Sequence, residues 1–132
     1  MTTPTVDQSP SPLRDARDLL AAAIETVTGY QCHPSYTVNV ASPCYVLQGN
    51  GWKVSATGYV TYLVTVTCLW ASQAGELHGG VEELARLAVV ACADAGWAVY
   101  EVPAPGTITV AEGRDYAGVQ FQAERPVTLR SI

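Results

Sequence analysis

The sequence predicts an α+β fold in which two helices pack on one face of a single mixed or antiparallel sheet. Two segments carry apolar residues at helical spacing, and six others alternate or are rich in β-branched and aromatic residues. Along the chain these segments follow the order α-β-β-β-α-β-β-β, which is typical of an α+β domain. The chain has 132 residues, the size of one domain. We therefore expect a flexible N-terminal arm at residues 1–11 and one α+β domain at residues 12–132.

The first predicted helix begins after Ser11 and ends before Gly29. Serine is a favoured N-cap, and Pro12 suits the first helical position because its missing N–H is not needed there. Glycine readily adopts the left-handed conformation that ends many helices. The apolar residues recur at three- and four-residue steps and predict one buried stripe, formed by Leu13, Ala16, Leu20, Ile24 and Val27.

Three strands are predicted between the two helices. The first covers residues 36–47, with a break at Ser42-Pro43, and the second covers Trp52–Ala56. Between them lies Asn50-Gly51, a dipeptide that is common in tight hairpin turns. The third, Tyr59–Trp70, is the most regular strand of the chain, and one of its faces carries Val60, Tyr62, Val64, Val66, Cys68 and Trp70.

The opposite face of that long strand is partly apolar, because it carries Tyr59, Leu63 and Leu69. Two helices cannot cover both faces of one sheet. We therefore expect this second face to be covered either by the sheet curling on itself or by a protein partner.

The second predicted helix runs from about Gly80 to Ala95. Its inward residues are predicted from the spacing to be Val81, Leu84, Ala85, Ala88, Ala91 and Cys92. Three further strands are predicted at residues 97–102, 107–111 and 117–129, separated by turns that contain proline or glycine.

The composition excludes several classes of protein. Charged residues make up only 14% of the chain, and its net charge is -5. The seven basic residues are scattered, so no basic face indicates a nucleic-acid-binding enzyme or repressor. No signal peptide or membrane-spanning segment is predicted, and we expect no membrane partner and a cytoplasmic site of synthesis. A surface with so little charge is typical of proteins that bind other proteins.

The sequence offers little catalytic chemistry. Its four cysteines have no C-x-x-C spacing, and we expect free, buried thiols, with Cys68 and Cys92 facing inward. Cys32-His33 with Cys44 would make only a partial metal site, because a fourth ligand is missing. None of the common nucleophile, phosphate-binding or zinc motifs occurs. We therefore predict neither an enzyme nor any catalytic, cofactor-binding or metal-binding residue.

The order and local pattern of the segments resemble the tail terminator proteins of long-tailed bacteriophages, especially those of actinobacteria. The resemblance covers about residues 12–128. It includes the amphipathic N-terminal helix, Thr37-Val38-Asn39-Val40-Ala41-Ser42-Pro43 and the long Val60–Trp70 strand. A helix with Val81, Leu84 and Ala88 inward follows, and Tyr116-Ala117-Gly118 leads into Val119-Gln120-Phe121-Gln122.

This resemblance implies a structural virion protein without catalytic residues. The family forms a hexameric ring at the head-proximal end of the tail, where it stops tail-tube growth and joins the tail to the head. Its expected partners are other copies of itself, the tail-tube protein and a neck or connector protein, and the ring encloses DNA without sequence-specific binding. Assembly would take place in the bacterial host cytoplasm.

Other functions remain open from the sequence. One is a head-completion, connector or tail-tube ring protein. A second is a small α+β ligand-binding domain or enzyme, with Trp52, Tyr62 and Trp97 lining a pocket. For the ring, the candidate interface residues are arginines that would pair with neighbours and outward apolar residues: Arg14, Arg17, Tyr59, Leu63, Leu69, Arg114, Arg125 and Arg130.

Deletion of the N-terminal arm is expected to leave the fold intact. Residues 1–11 consist mostly of Thr, Ser and Pro and offer almost nothing to the core. Thermal unfolding of the shortened chain, followed by circular dichroism, should therefore give nearly the midpoint of the full chain. A much lower midpoint would show that the segment is part of the fold.

Overall fold

The computed structural model describes residues 11–35, 42–56, 58–71, 78–110 and 113–129. Its elements are α1 (Pro12–Thr28), β1 (Gln31–His33), β2 (Cys44–Ala56), β3 (Tyr59–Ala71), α2 (His78–Asp94), β4 (Ala98–Val99), β5 (Gly106–Thr109) and β6 (Asp115–Thr128). This order confirms the predicted fold class and the predicted sequence of helices and strands.

The strands of the described residues form one mixed sheet. Its order is β1-β2-β3-β6-β4, and β5 pairs with the first part of β6. β1 is parallel to β2, whereas all the other pairs are antiparallel. β3 lies at the centre and pairs along almost its full length with both β2 and β6. The two long antiparallel pairs therefore set the register of the whole sheet.

Both helices pack on the same face of this sheet, as predicted. The buried face of β3 is the predicted one, and β6 contributes Val119, Phe121 and Ala123 beside it. The predicted inward residues of α2 are all buried, as are Ala16, Leu20 and Ile24 of α1. Leu13 is half-buried against this core, and Val27 is exposed, since it lies in the last turn of α1, where an open groove separates α1 from the end of α2.

One end of the opposite face of the sheet is covered within the chain. There Cys44, Val46, Leu69 and Tyr116 form a small second cluster, against which Ile108 and Val110 pack. The chain thus buries these side chains without a partner at this end of the face. Among the described residues, no second cluster of this kind covers the other end of the face, and Tyr59 is exposed there.

The predicted hairpin at Asn50-Gly51 is wrong. β2 runs through this dipeptide, and the register passes from Gly49↔Val64 to Trp52↔Tyr62, so two residues of β2 oppose one of β3. This is a β-bulge, and Gly51 adopts the positive φ of 81° that such a site requires. The chain reverses instead between Ala56 and Tyr59, where Gly58 also has a positive φ.

The first three strands differ from their predicted bounds. β1 was not predicted, because three residues give no periodic signal. The segment predicted as a strand at residues 36–47 lies partly outside the described residues, and its described end belongs to β2. Residues 1–10 of the predicted arm also lie outside the described residues. Ser11 is the N-cap of α1, as predicted, since its hydroxyl accepts a hydrogen bond from the backbone N–H of Arg14 at 3.3 Å.

Replacing Gly118 with alanine is expected to destabilise the fold by about 1–3 kcal/mol, the usual cost of forcing extra atoms into a packed site. A Cβ at this position would overlap the backbone carbonyl of Cys68 on the neighbouring strand, which cannot move aside alone. Gly106 is the matched control, because it pairs with Gly118 and a Cβ there would meet no atom within 4 Å. Urea unfolding should separate the two variants, and equal stabilities would contradict this packing.

Candidate subunit interface

One edge of the sheet is long and has no partner strand among the residues that the structure describes. β1 covers only Cys44–Val46 of β2, and within the described residues no strand pairs with the outer side of Leu47–Ala56. A free edge of this length presents backbone N–H and C=O groups to solvent, and proteins usually protect such edges with charges or a covering segment. Lys53 is the single charged residue of this stretch. The edge is therefore a candidate site for contact with another protein.

Trp52, Lys53 and Val54, together called the β2 edge patch, are the most prominent residues of this edge. Trp52 pairs with Tyr62 and Val54 with Val60, so both side chains lie on the helix-bearing face. Their exposed fractions are 52% and 78%. Because successive side chains of a strand alternate, Lys53 lies on the opposite face. The patch therefore presents apolar side chains on one face of the sheet and a positive charge on the other.

The far edge of the sheet carries an apolar groove of about 550 Å³. α2 forms one wall with Val89 and Val90, and the extended segment from Val102 to Pro105 forms the other. We call this cavity the α2 groove. It opens on the helix-bearing face, because Val119, which lines it, belongs to the main core. Apolar walls with a few charged residues at the rim are typical of binding pockets.

The same extended segment borders a shallower depression on the other side. Glu101 and Pro103 line it together with Thr65, Gln120 and Gln122. These three polar residues lie on the face of the sheet opposite the main core, since their strand neighbours Val64, Val66 and Phe121 are in that core. The segment thus has an apolar side towards the α2 groove and an acidic side towards this depression.

Two of the predicted interface arginines make contacts within the chain. The Arg17 guanidinium donates a hydrogen bond to the Tyr62 hydroxyl at 3.1 Å, which joins α1 to β3. Gly49 makes room for this pair, because a Cβ there would press against both groups. Arg125 donates to the carbonyl of Ala95 at 3.3 Å, at the carboxyl end of α2, where a positive charge is favoured. These side chains hold the helices on the sheet.

The other predicted candidates do not come together at one surface. Arg14 lies at the start of α1 and Arg114 is exposed before β6, whereas Arg130 lies outside the described residues. Tyr59 is exposed and Leu63 is half-buried on the open part of the sheet face. The prediction that Leu69 is an interface residue is wrong, since the second cluster buries this side chain completely within the chain.

Sequence reasoning missed the two edge surfaces. The sequence predicts ordinary strands for Val54 and Val102 and gives no role to Val90. The signals available were the Asn50-Gly51 dipeptide, which marks a bulge here, and Pro103 with Pro105, which lack the N–H needed to continue a strand ladder. The predicted strand at residues 97–102 is limited to Ala98–Val99 in the structure.

The predicted pocket of Trp52, Tyr62 and Trp97 forms only in part: Trp52 and Tyr62 line a cavity of about 290 Å³ beside Arg14 and Arg17, and Trp97 does not line it. Tyr62 and Trp97 are both buried in the main core, with ring centroids 6.1 Å apart, whereas Trp52 is exposed. Among the described residues, no three His, Cys, Asp or Glu side chains lie close enough together to bind a metal ion. No helix in the described ranges is both long and apolar enough to cross a membrane.

The four cysteines are free and buried, which confirms the prediction for Cys68 and Cys92. Burial raises the pKa of the Cys44 thiol to about 11 and that of Cys92 to about 12. The pKa values of Cys32 and Cys68 are also raised, mainly by burial. A thiol with a raised pKa stays protonated at neutral pH and reacts slowly, so these residues act as small apolar side chains.

Comparison with known proteins finds no matching family model, and no curated protein matches the chain significantly.

The free energy of unfolding is expected to fall above about pH 9. An unfolded thiol has a pKa of about 8.5, and the folded thiols lose their protons only at higher pH. Between these values the folded state holds more protons, so stability is constant below about pH 8 and then falls by up to about 1.4 kcal/mol per pH unit for each thiol.

Urea unfolding at a series of pH values from about 7 to 10.5 would measure this slope. Cys92→Ala is the control, because it removes one titrating thiol and should make the slope shallower, whatever its effect at neutral pH. An identical slope in the variant would contradict the assignment to the thiols. Thiol titration before and after denaturation would check their burial directly.

Proposed function

We propose that this chain is a structural subunit of a ring at the head-proximal end of a bacteriophage tail. Six copies would form the ring, stop growth of the tail tube and join the tail to the head. The tail-tube protein would bind one side of the ring and a neck or connector protein the other. The proposal assigns no catalytic step and no cofactor to the chain, and it places the protein in the virion after assembly in the host cytoplasm.

The observation that carries this proposal is the position of the two edge surfaces. The β2 edge patch and the α2 groove lie at opposite edges of one sheet, and both present apolar side chains on its helix-bearing face. A subunit with two different binding surfaces on opposite sides can contact two neighbours at once, which is the requirement for a closed ring. The resemblance of the predicted segment order to tail terminators points to the same kind of assembly.

The charge of the chain agrees with a ring around DNA. Its net charge is -5, and a lumen formed by such subunits would not bind the DNA duplex tightly. Arg86 forms an ion pair with Glu83 within α2, and the hydrogen bond from Arg86 lowers the pKa of Glu83. Arg17 and Arg125 are also engaged within the chain. These three arginines are therefore not a free basic surface for phosphates.

A phage mutant that no longer produces this chain is expected to make tails longer than normal, because nothing would stop growth of the tail tube. Electron microscopy would measure tail length, and normal tails should show six copies at the head-proximal end. Supplying the chain from a plasmid is the control and should restore normal length. Tails of normal length without the chain would contradict the terminator function and favour a connector role.

A further inference from the structure

We propose that copies of this chain join head to tail, with the β2 edge patch of one copy seated against the α2 groove of the next. This inference rests on the proposed ring function and names the surfaces that such a ring would use. Each copy offers one patch and one groove, on opposite edges of the sheet. A contact between two different surfaces is heterologous, and repeated around an axis it closes into a ring.

The apolar contents of the two surfaces match. The patch presents an exposed indole ring and an exposed valine, and the groove presents the side chains of Val89, Val90 and Val102. A groove of about 550 Å³ has the size of pockets that enclose small apolar ligands. Tryptophan in an apolar pocket with a polar rim is typical of the centre of a protein interface. The patch thus supplies protruding apolar side chains, and the groove supplies an apolar cavity to receive them.

The alternation of side chains also matches across the contact. In the patch, Trp52 and Val54 lie on the helix-bearing face and Lys53 on the other. In the segment that borders the groove, Val102 lines the helix-side cavity, whereas Glu101 lines the depression on the opposite face. When two copies meet with their helices on the same side, apolar residues face apolar ones and Lys53 faces Glu101. Rotation about a ring axis keeps the helices on the same side.

Charge favours this pairing of edges over a symmetric one. Lys53 is the single charged residue of Leu47–Ala56, and Glu101 is the single charged residue of Tyr100–Pro105. Two β2 edges placed together would each bring a lysine, and two copies of the other segment would each bring a glutamate. Opposite charges select the head-to-tail partner and disfavour both symmetric alternatives.

Complementary variants test the contact. Val54→Asp damages the patch alone, and Val90→Asp damages the groove alone at a residue that is 40% exposed. The self-association constant of each variant alone should be at least tenfold lower than that of the unmodified chain. Light scattering at protein concentrations up to about 1 mM would measure it. An equimolar mixture should form dimers and stop there, because only one intact patch and one intact groove can meet.

Leu19→Asp is the matched control, since Leu19 is 67% exposed on α1 and belongs to neither surface. It should associate like the unmodified chain. Circular dichroism would show that all three variants are folded. Monomers in the mixture, or equal loss of association in the Leu19 variant, would overturn the proposal.

Cross-linking provides a second measurement that does not depend on damaging the contact. Lys53→Cys and Glu101→Cys each add one exposed thiol, and the four native cysteines are buried. Under oxidation, disulfide dimers should form when the two variants are mixed and not in either variant alone. Dimers of the Lys53→Cys variant by itself would show symmetric β2 pairing and overturn the head-to-tail contact, as would the absence of dimers in the mixture.

The two proposals fail separately. If six copies are found at the head-proximal end of the tail but the mixed variants do not cross-link, the ring function stands and this contact is wrong. If the variants cross-link but tails made without the chain have normal length, the contact stands and the terminator function is wrong.

Discussion

The register of the three long strands is the constraint on which the rest of this structure depends. β3 pairs with β2 on one side and with β6 on the other, and its alternating apolar residues fix which face of all three strands receives the helices. A shift of one residue would turn the valines of β3 to solvent. The Tyr45 hydroxyl donates a buried hydrogen bond of 2.6 Å to the carbonyl of Leu84, which ties α2 to this register.

Once the register is set, the two edges of the sheet acquire their different characters. β2 extends beyond β1, and within the described parts of the chain no strand pairs with its outer side there. β6, in contrast, is bordered by two short strands with a proline-containing segment between them. One edge therefore protrudes with apolar side chains, and the other contains a groove. This asymmetry follows from strand length and proline position, and it is what makes a directional contact between copies geometrically available.

The helices could be predicted from the sequence because their signals are local. Ser11, Pro12 and Gly29 mark the ends of α1, and the three- and four-residue spacing marks its buried side. The hairpin at Asn50-Gly51 could not be judged in this way. A turn and a bulge use the same residues, and the outcome depends on whether the partner strand continues. The burial of Leu69 likewise depends on Ile108, which lies far along the chain.

The candidate interface was harder to predict because it depends on which side chains stay exposed after folding. An arginine in the sequence shows no sign of an acceptor elsewhere in the chain, and Arg17 and Arg125 find theirs in Tyr62 and the carbonyl of Ala95. Exposed apolar residues are equally hard to recognise from the sequence, since Val54 has the same local pattern as a buried strand valine. Only the tertiary pairing separates the two cases.

The bulge in β2 has a consequence for how the surface of this protein can change. Before it, Tyr45, Leu47 and Gly49 face the helices, and after it Trp52 and Val54 do, so odd positions give way to even ones. The bulge absorbs the additional residue, so Trp52 still pairs with Tyr62 and keeps the face that the register of β3 assigns to it. Loss of a single codon at Asn50-Gly51 would restore regular pairing and leave the tryptophan and the lysine on their present faces. Such a deletion would change the local twist of this edge, because a bulge increases twist, and would not exchange its two faces.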